Sequence, residues 1–170
     1  MFVRPERPED VEAVHDVVGF AFASAEKPEP PIEVALLKEL RGDAGWLPKL
    51  SLVAVIAGEV VGHVVCTRGR VDDSPALGLG PLAVRPCRHQ QGVGKALMHV
   101  VLGAADALDE PLVVLLGDPG YYHRYGFVTA SELGIYSPDP AWGRYFQARP
   151  LSAYQPIAGK FAYAEPFDRL

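Results

Sequence analysis

The sequence is poor in cysteine, in clustered positive charge and in long apolar runs, and each shortage excludes a class of protein. Neither of its two cysteines, Cys66 and Cys87, lies in a C-x-x-C or Cys/His cluster, so we expect reduced thiols and no structural zinc site. The formal net charge is −5 and no stretch is rich in lysine and arginine, which argues against a nucleic-acid partner. No apolar run approaches the ~20 residues of a membrane helix. The N-terminal "MFVRPERPED" does not resemble a signal peptide. We therefore expect a soluble, cytoplasmic protein without a membrane partner.

The composition that remains is that of an ordinary globular protein. Hydrophobic residues make up 49% of the 170 residues and charged residues 22%. This length suits one domain with a sizeable core, and no linker or internal repeat divides it. We predict a single domain over residues 1–170.

The apolar pattern predicts the order β-α-α-β-β-β-α-β-α, followed by a tail of short strands. The predicted strands before the tail are 2–6, a hairpin over 52–70, 76–84 and 111–117. The predicted helices begin at Pro8, Pro31, Val93 and Pro119, and strand candidates in the tail are 127–130, 145–149 and 160–164. The unit of strand, loop, helix and strand at the centre predicts a right-handed parallel pair.

The strand over 76–84, "ALGLGPLAV", has an unusual composition for a strand. Gly78, Gly80 and Pro81 weaken it, and a proline cannot donate to a β-ladder. The sequence therefore predicts a bulge or an unpaired stretch here.

The segment "RPCRHQQGVGKALMHV" (85–100) follows that strand and contains Gly92-Val93-Gly94 where a helix begins. A Walker A loop is excluded because Ala96 lacks the hydroxyl that binds magnesium and His89 replaces the first glycine. A dinucleotide-binding fingerprint is disfavoured because Leu97 stands where a third glycine is required.

The same segment resembles the acetyl-CoA-binding loop of the GNAT superfamily, whose signature is [R/Q]-x-x-G-x-[G/A]. Backbone N–H groups at a helix N-terminus can bind the pyrophosphate of CoA. The resemblance implies that the CoA-binding residues are Leu82, Ala83, Val84, His89, Gln90, Gln91, Gly92, Val93, Gly94, Lys95 and Ala96. Leu82 to Val84 would pair with the pantetheine arm like an added strand, and the loop donors would come from residues 89–95. His89 departs from the signature, which has Arg or Gln at this position.

A second motif lies one helix and one strand further on, in "GDPGYYHRYGF" (117–127). GNAT proteins commonly carry Y-x-x-x-G-F at this place, and the resemblance makes Tyr122 the general acid that protonates the CoA thiolate. A phenol remains protonated at pH 7 and can therefore donate that proton. Tyr121 and Tyr125 are the alternatives.

The resemblance implies a mixed α/β (α+β) fold. Its central sheet would be mostly antiparallel, with a parallel, bulged pair of strands spread apart for CoA and helices on both faces. It also implies an N-acetyltransferase that uses acetyl-CoA without a metal. The sequence resembles a subgroup of poorly characterised bacterial enzymes of this superfamily. The alternative is a non-catalytic acetyl-CoA-binding sensor or interaction module.

The acceptor side is less defined by the sequence. The acceptor would be an amine of a small molecule or a protein. The sequence is compatible with a monomer and with a homodimer. His63, Asp118 and Glu132 are candidates for the general base, although Asp118 could equally cap a helix. We expect loops 23–31 and 69–75 to border the acceptor, together with some of the aromatic residues in the tail. These are Tyr136, Trp142, Tyr145, Phe146, Tyr154, Phe161, Tyr163 and Phe167.

Overall fold

One sheet of nine strands organises the chain in the computed structural model, which describes residues 1–170. The strands are β1 (Phe2–Pro5), β2 (Trp46–Ile56), β3 (Glu59–Val71), β4 (Ser74–Val84), β5 (Leu112–Leu116), β6 (Val128–Thr129), β7 (Ile135–Tyr136), β8 (Phe146–Pro150) and β9 (Gly159–Ala162). The α-helices are α1 (Val11–Phe22), α2 (Ile32–Arg41), α3 (Val93–Ala107) and α4 (Pro119–Tyr122), and short 3₁₀ turns complete the chain. None of these helices combines the length and apolar character that crossing a bilayer requires.

The sheet is mostly antiparallel, in the order β1-β2-β3-β4-β5-β8-β6, and β9 pairs with both β3 and β7. The central pair of β4 and β5 is parallel, because α3 connects these strands as a crossover. This arrangement confirms the mixed fold that the family resemblance implies.

Two elements differ from the sequence prediction. β2 begins at Trp46, whereas the prediction placed its start at residue 52. The part of β2 that was not predicted pairs irregularly with β3. Trp46 is opposite Thr67, and regular pairing resumes only at Ser51, opposite Val65. Pro48 lies in this irregular part, where the missing N–H of a proline is tolerated. The two-residue β7 was not predicted.

Helices cover both faces of the sheet, as predicted. On one face Val14, Val17 and Val18 of α1 pack in a core cluster with strand residues such as Val53 and Val65. On the other face α3 packs on β2, β3 and β4.

Gly62 of β3 permits the close approach of α3. A Cβ atom at this position would lie 2.8 Å from Val93 Cγ1 and 2.9 Å from Leu97 Cδ1. Any larger residue here would therefore separate α3 from the sheet.

The predicted bulge is present in β4. Val64 is opposite Leu82 and Cys66 is opposite Leu79, so that Val65 alone faces both Gly80 and Pro81. The parallel ladder between β4 and β5 has its last registered pair at Gly78 and Val114. Beyond that pair the two strands diverge and leave a gap in the middle of the sheet.

Candidate active site

The loop between β4 and α3 presents a row of backbone N–H groups without protein partners. The N–H groups of Gln90, Gln91 and Gly92 donate no hydrogen bond. The first three N–H groups of α3, from Val93 to Lys95, have no acceptor in the preceding loop, and Gly92 offers no capping side chain. His89 N–H is excluded from this row, because it donates to the carbonyl of Pro86 at 3.2 Å. Ala96 N–H is also excluded, since it donates to the carbonyl of Gly92 at 3.0 Å.

The loop backbone has the form of an anion-binding concavity. Gln90 and Gly92 are both in the left-handed region, with φ of 61° and 79°, and Val93 then begins a right-handed helix. Alternation of this kind directs successive N–H groups toward one point. The start of α3 adds the positive end of its helix dipole there.

These N–H groups border a cavity of about 540 Å³, which we name the cradle cavity. Its walls are formed by Ala21, Phe22, Leu82, Val84, Arg88, His89, Gln90, Gly92, Val93, Gly94, Lys95, Tyr121, Arg124 and Tyr125. Its charged side chains, Arg88, Lys95 and Arg124, are all cationic, and no acidic residue lines it. The cradle cavity is therefore suited to an anionic ligand.

Most of the predicted CoA-binding residues line the cradle cavity, and three do not: Gln91, Ala96 and Ala83. The side chain of Ala83 packs in the core beneath α1. Arg85 N–H donates to the carbonyl of Val61 in β3, and strand alternation then directs the backbone groups of Ala83 to β3 as well. Leu82 and Val84 are left as the residues whose backbone groups face the gap.

His89, the residue that departs from the family signature, turns back toward the sheet. Its Nε2 lies 3.2 Å from the carbonyl oxygen of Val84, a distance that suits donation by the ring in its Nε2–H form. The ring thereby links the loop to the end of β4 and lines the cradle cavity.

A second cavity, of about 510 Å³, lies at the gap between β4 and β5, and we name it the gap cavity. Its walls are formed by Phe22, Glu33, Leu36, Leu79, Gly80, Pro81, Leu82, Leu115, Leu116, Tyr122, Pro138, Asp139, Trp142, Tyr163, Phe167, Asp168 and Leu170. Phe22 and Leu82 also line the cradle cavity, so the two cavities adjoin at these residues. A long ligand could therefore extend from one cavity into the other.

The three tyrosines of the second motif have different surroundings. Tyr122 lines the gap cavity, and its hydroxyl forms no hydrogen bond with the protein. Tyr121 lines the cradle cavity instead and accepts a hydrogen bond of 3.0 Å from the Tyr125 hydroxyl. Tyr125 is buried in the core beneath α3.

Tyr122 is held at the end of β5 by a close contact with Gly117, whose added Cβ would lie 2.5 Å from Tyr122 Cε2. Burial raises the pKa of Tyr122 to about 12, with a further contribution from Tyr121. Tyr122 is therefore protonated at any physiological pH.

None of the three candidate bases lines either cavity. His63 is fully buried on the α1 face, where its Nε2 lies 2.9 Å from Ser51 Oγ and 3.3 Å from Glu6 Oε2. Asp118 caps α4 by accepting a hydrogen bond of 2.9 Å from Gly120 N–H, and Glu132 is exposed on a 3₁₀ turn.

The expected acceptor loops do not line the gap cavity either. Neither 23–31 nor 69–75 contributes to its wall; Phe22 and Glu33, on either side of the first loop, do. Among the aromatic residues of the tail, Trp142, Tyr163 and Phe167 line it. Glu33, Asp139 and Asp168 were missed, because an isolated carboxylate far away in sequence gives no local signal.

Comparison with known proteins identifies one family by sequence. A family model described as an acetyltransferase (GNAT) domain matches residues 48–129. The uncharacterized N-acetyltransferase YhbS of Escherichia coli strain K12 is 31% identical over 174 residues, which span 99% of this chain and 99% of that protein. The uncharacterized N-acetyltransferase YjhQ of the same strain is 35% identical over 113 residues, or 64% of this chain and 62% of that protein.

Solved structures agree with this result. The crystal structure of the GNAT family N-acetyltransferase YhbS from Escherichia coli in complex with CoA has a TM-score of 0.88 at 29% identity, covering 99% of this chain and 92% of that chain. A GNAT family acetyltransferase from Brucella melitensis in complex with acetyl-CoA has a TM-score of 0.77 at 30% identity, covering 98% of this chain and 97% of that chain. With its divided sheet, its loop of free N–H groups and these relatives, this chain belongs to the GNAT family of N-acetyltransferases.

Proposed function

We propose that this protein binds acetyl-CoA in the two cavities and transfers its acetyl group to a primary amine by direct attack in a ternary complex. The observation that carries the proposal is the row of partnerless N–H groups from Gln90 to Lys95, at the wall of a cationic cavity that adjoins the gap. The pyrophosphate of CoA suits such a row, and the two crystallised relatives hold CoA and acetyl-CoA. Glycine at positions 92 and 94 keeps side chains away from that approach.

The gap supports a role for β4 in holding the rest of the cofactor. The backbone groups of Leu82 and Val84 face an edge that β5 no longer pairs with. A pantetheine arm can add to this edge through its amides, as an added strand would. A backbone N–H at this edge can also donate to the thioester oxygen as negative charge develops on it.

In the proposed reaction the amine nitrogen attacks the thioester carbon and forms a tetrahedral intermediate. Its collapse breaks the carbon–sulfur bond, releases the N-acetyl product and leaves the CoA sulfur with the electron pair. Tyr122 donates its phenolic proton to that sulfur. Before the attack, the ammonium form of the acceptor gives one proton, directly or through water, to a carboxylate at the gap cavity, where Glu33, Asp139 and Asp168 are available. The second proton, which the nitrogen loses once it is bonded to the acetyl carbon, passes to water. Tyr122 regains a proton from solvent.

The pKa of Tyr122 restricts when it can donate. At about 12 it lies above the ~8.5 of an ordinary thiol, so full transfer to a thiolate in water would be unfavourable. A sulfur enclosed in the gap is less solvated, and burial raises the pKa of a thiol as it does that of a phenol. Donation would therefore take place as the bond to sulfur breaks, within the enclosed gap.

The test compares Tyr122→Phe with Tyr121→Phe in an assay of free thiol release from acetyl-CoA in the presence of an amine pool. We expect Tyr122→Phe to lower kcat by at least ~100-fold, the range of general acid catalysis, with an unchanged Kd for acetyl-CoA. Tyr121→Phe is the matched control on the other cavity and should retain kcat within ~3-fold.

Equal kcat for wild type and Tyr122→Phe would remove Tyr122 as the acid. Tight binding of acetyl-CoA without any amine-dependent thiol release would favour the non-catalytic sensor. Equal thermal stabilisation by acetyl-CoA, ATP and NAD would contradict a CoA site altogether.

A further inference from the structure

The gap cavity has a different chemical character from the cradle cavity and lies on the far side of Phe22 and Leu82. If acetyl-CoA fills the cradle cavity and the gap, as in the proposed function, the remainder of the gap cavity is where the acceptor must lie. Its lining therefore describes the molecule that receives the acetyl group.

One wall of the gap cavity is a fixed group of aromatic rings. The ring centroids of Trp142 and Tyr163 are 6.4 Å apart, and those of Tyr163 and Phe167 are 4.6 Å apart. Tyr163 is in turn packed on the backbone of β4, since an added Cβ at Gly78 would lie 2.6 Å from Tyr163 Cδ1. Gly78 belongs to the last registered pair of β4 and β5, so this aromatic wall begins where the gap opens.

The same cavity carries only negative charge. Glu33, Asp139 and Asp168 line it, none of them takes part in a salt bridge, and no arginine, lysine or histidine lines it. Asp139 Oδ1 accepts a hydrogen bond from Ala141 N–H at 2.9 Å, which leaves its second oxygen available. These carboxylates attract an ammonium group and repel an acceptor that carries its own carboxylate.

Size favours a small molecule over a long peptide. The gap cavity of about 510 Å³ falls within the range typical of small-molecule sites, and the thioester end of the cofactor would occupy part of it. What is left suits a compact molecule rather than an extended chain.

From this wall, this charge and this size, we propose that the acceptor is a small primary amine on an aromatic or similarly apolar body, without an anionic group. The inference rests on the proposed function and adds the class of acceptor. Trp142 and Tyr163 would contact the apolar body, and the carboxylates would receive the amino end.

The test measures kcat/KM for phenethylamine, L-phenylalaninamide, L-phenylalanine and spermidine with the wild-type protein. We expect phenethylamine and phenylalaninamide to exceed phenylalanine by at least ~10-fold, because only phenylalanine brings a carboxylate against the three acids. They should exceed spermidine by a similar factor, because spermidine has amino groups but no ring for the aromatic wall.

Two variants test whether the gap cavity determines the expected order of kcat/KM among these amines. Trp142→Ala should raise KM for phenethylamine by at least ~10-fold and change the Kd of acetyl-CoA by less than ~3-fold, since the cradle cavity, where the phosphates would bind, does not include the indole. The double variant Asp139→Asn, Asp168→Asn should reduce the preference for phenylalaninamide over phenylalanine to less than ~3-fold. Asparagine keeps the capping hydrogen bond of Asp139, so the fold around it is retained.

A pool of free amines from hydrolysed casein separates the two proposals. Acetylation of that pool, with phenylalanine or spermidine used as well as phenethylamine, would overturn the acceptor class and leave acetyl transfer standing. No acetylation of the pool or of any single amine, with acetyl-CoA still bound, would overturn both.

Discussion

Gly92 offers the sharpest test of the cradle cavity. The effect of its backbone conformation on stability can be separated from the effect of its position on acetyl-CoA binding. Its φ of 79° lies in the left-handed region, which costs a residue with a Cβ about 1–2 kcal/mol. Replacing glycine also makes the unfolded chain less flexible, which offsets roughly 0.5 kcal/mol of that cost. Gly92→Ala should therefore lower the free energy of unfolding by about 1 kcal/mol and Tm by about 2–4 °C.

Gly92→Ala should weaken the binding of acetyl-CoA as well as lower the stability of the protein. An added Cβ at Gly92 meets no protein atom within 4 Å and would stand at the wall of the cradle cavity. Phosphate oxygens must come within ~2.9 Å of an N–H to form a hydrogen bond, and a methyl group beside it obstructs them. We expect the Kd for acetyl-CoA to rise at least 10-fold, or about 1.4 kcal/mol.

The assay is thermal unfolding with and without acetyl-CoA, supported by calorimetric titration. At ~100 times the wild-type Kd, the ligand adds about 2.7 kcal/mol to wild type and about 1.4 kcal/mol to a variant that binds 10-fold more weakly. The wild-type Tm should therefore rise by roughly 5–10 °C and that of the variant by about half as much.

Gly58→Ala is the matched control. Gly58 also has a φ of 79°, an added Cβ there also meets nothing within 4 Å, and it lies in the turn between β2 and β3, away from both cavities. It should lose about 1 kcal/mol of stability and bind acetyl-CoA as wild type does. If Gly92→Ala binds acetyl-CoA within ~2-fold of Gly58→Ala, the loop does not hold the phosphates and the reasoning fails.

Further predictions concern the fold around the site. Burial lowers the pKa of His63, against the opposing effect of Glu6, so below pH ~6.5 the unfolded chain binds a proton there that the folded chain does not. In urea denaturation, the free energy of unfolding of the wild type should fall as the pH is lowered from 7.5 to 5.5, and that of His63→Gln should fall by up to about 1.4 kcal/mol less. The same dependence of the free energy of unfolding on pH in both proteins would refute this. Gly62→Ala should destabilise by about 1–3 kcal/mol, because its Cβ would lie 2.8 Å from Val93 Cγ1. Gly103→Ala, on α3 with open space around it, should stabilise by roughly 0.5–1 kcal/mol, and equal Tm values for these two variants would contradict the packing argument.

Local patterns were sufficient to predict most of the strands, and they singled out the loop that lines the cradle cavity. The residues that carry the free N–H groups, Gln90 to Lys95, are contiguous in sequence, and glycine at 92 and 94 indicates backbone that a ligand can approach closely. The bulge in β4 was likewise visible in Gly80 and Pro81, since both residues disturb a ladder wherever they occur. Chain segments whose conformation is decided within ten residues can be predicted in this way.

The full wall of the gap cavity could not be predicted, because it joins residues that are distant in sequence, and composition alone did not separate Trp142, Tyr163 and Phe167 from the other aromatic residues of the tail. Glu33 comes from α2, Trp142 from a 3₁₀ turn and Tyr163 from the residues after β9. Tyr163 reaches this wall because β9 pairs with β3 at Arg70 and Ala162, a contact that no periodicity reveals. For the same reason His63 looked like a candidate base on its strand, whereas the fold buries it beside Glu6 and Ser51.

The opposite charges of the adjoining cavities bear on the order of events in the proposed reaction. The cationic wall with Arg88, Lys95 and Arg124 favours the phosphates of CoA, and the acidic gap cavity excludes them, so the cofactor has one direction in which to bind. Acetylation converts an ammonium group into a neutral amide and thereby removes the attraction that brought the acceptor to the three carboxylates. The amide product should consequently bind more weakly than the amine, whereas CoA keeps all its contacts with the cradle. CoA should therefore leave the enzyme more slowly than the amide, because the contacts with the cradle cavity hold it.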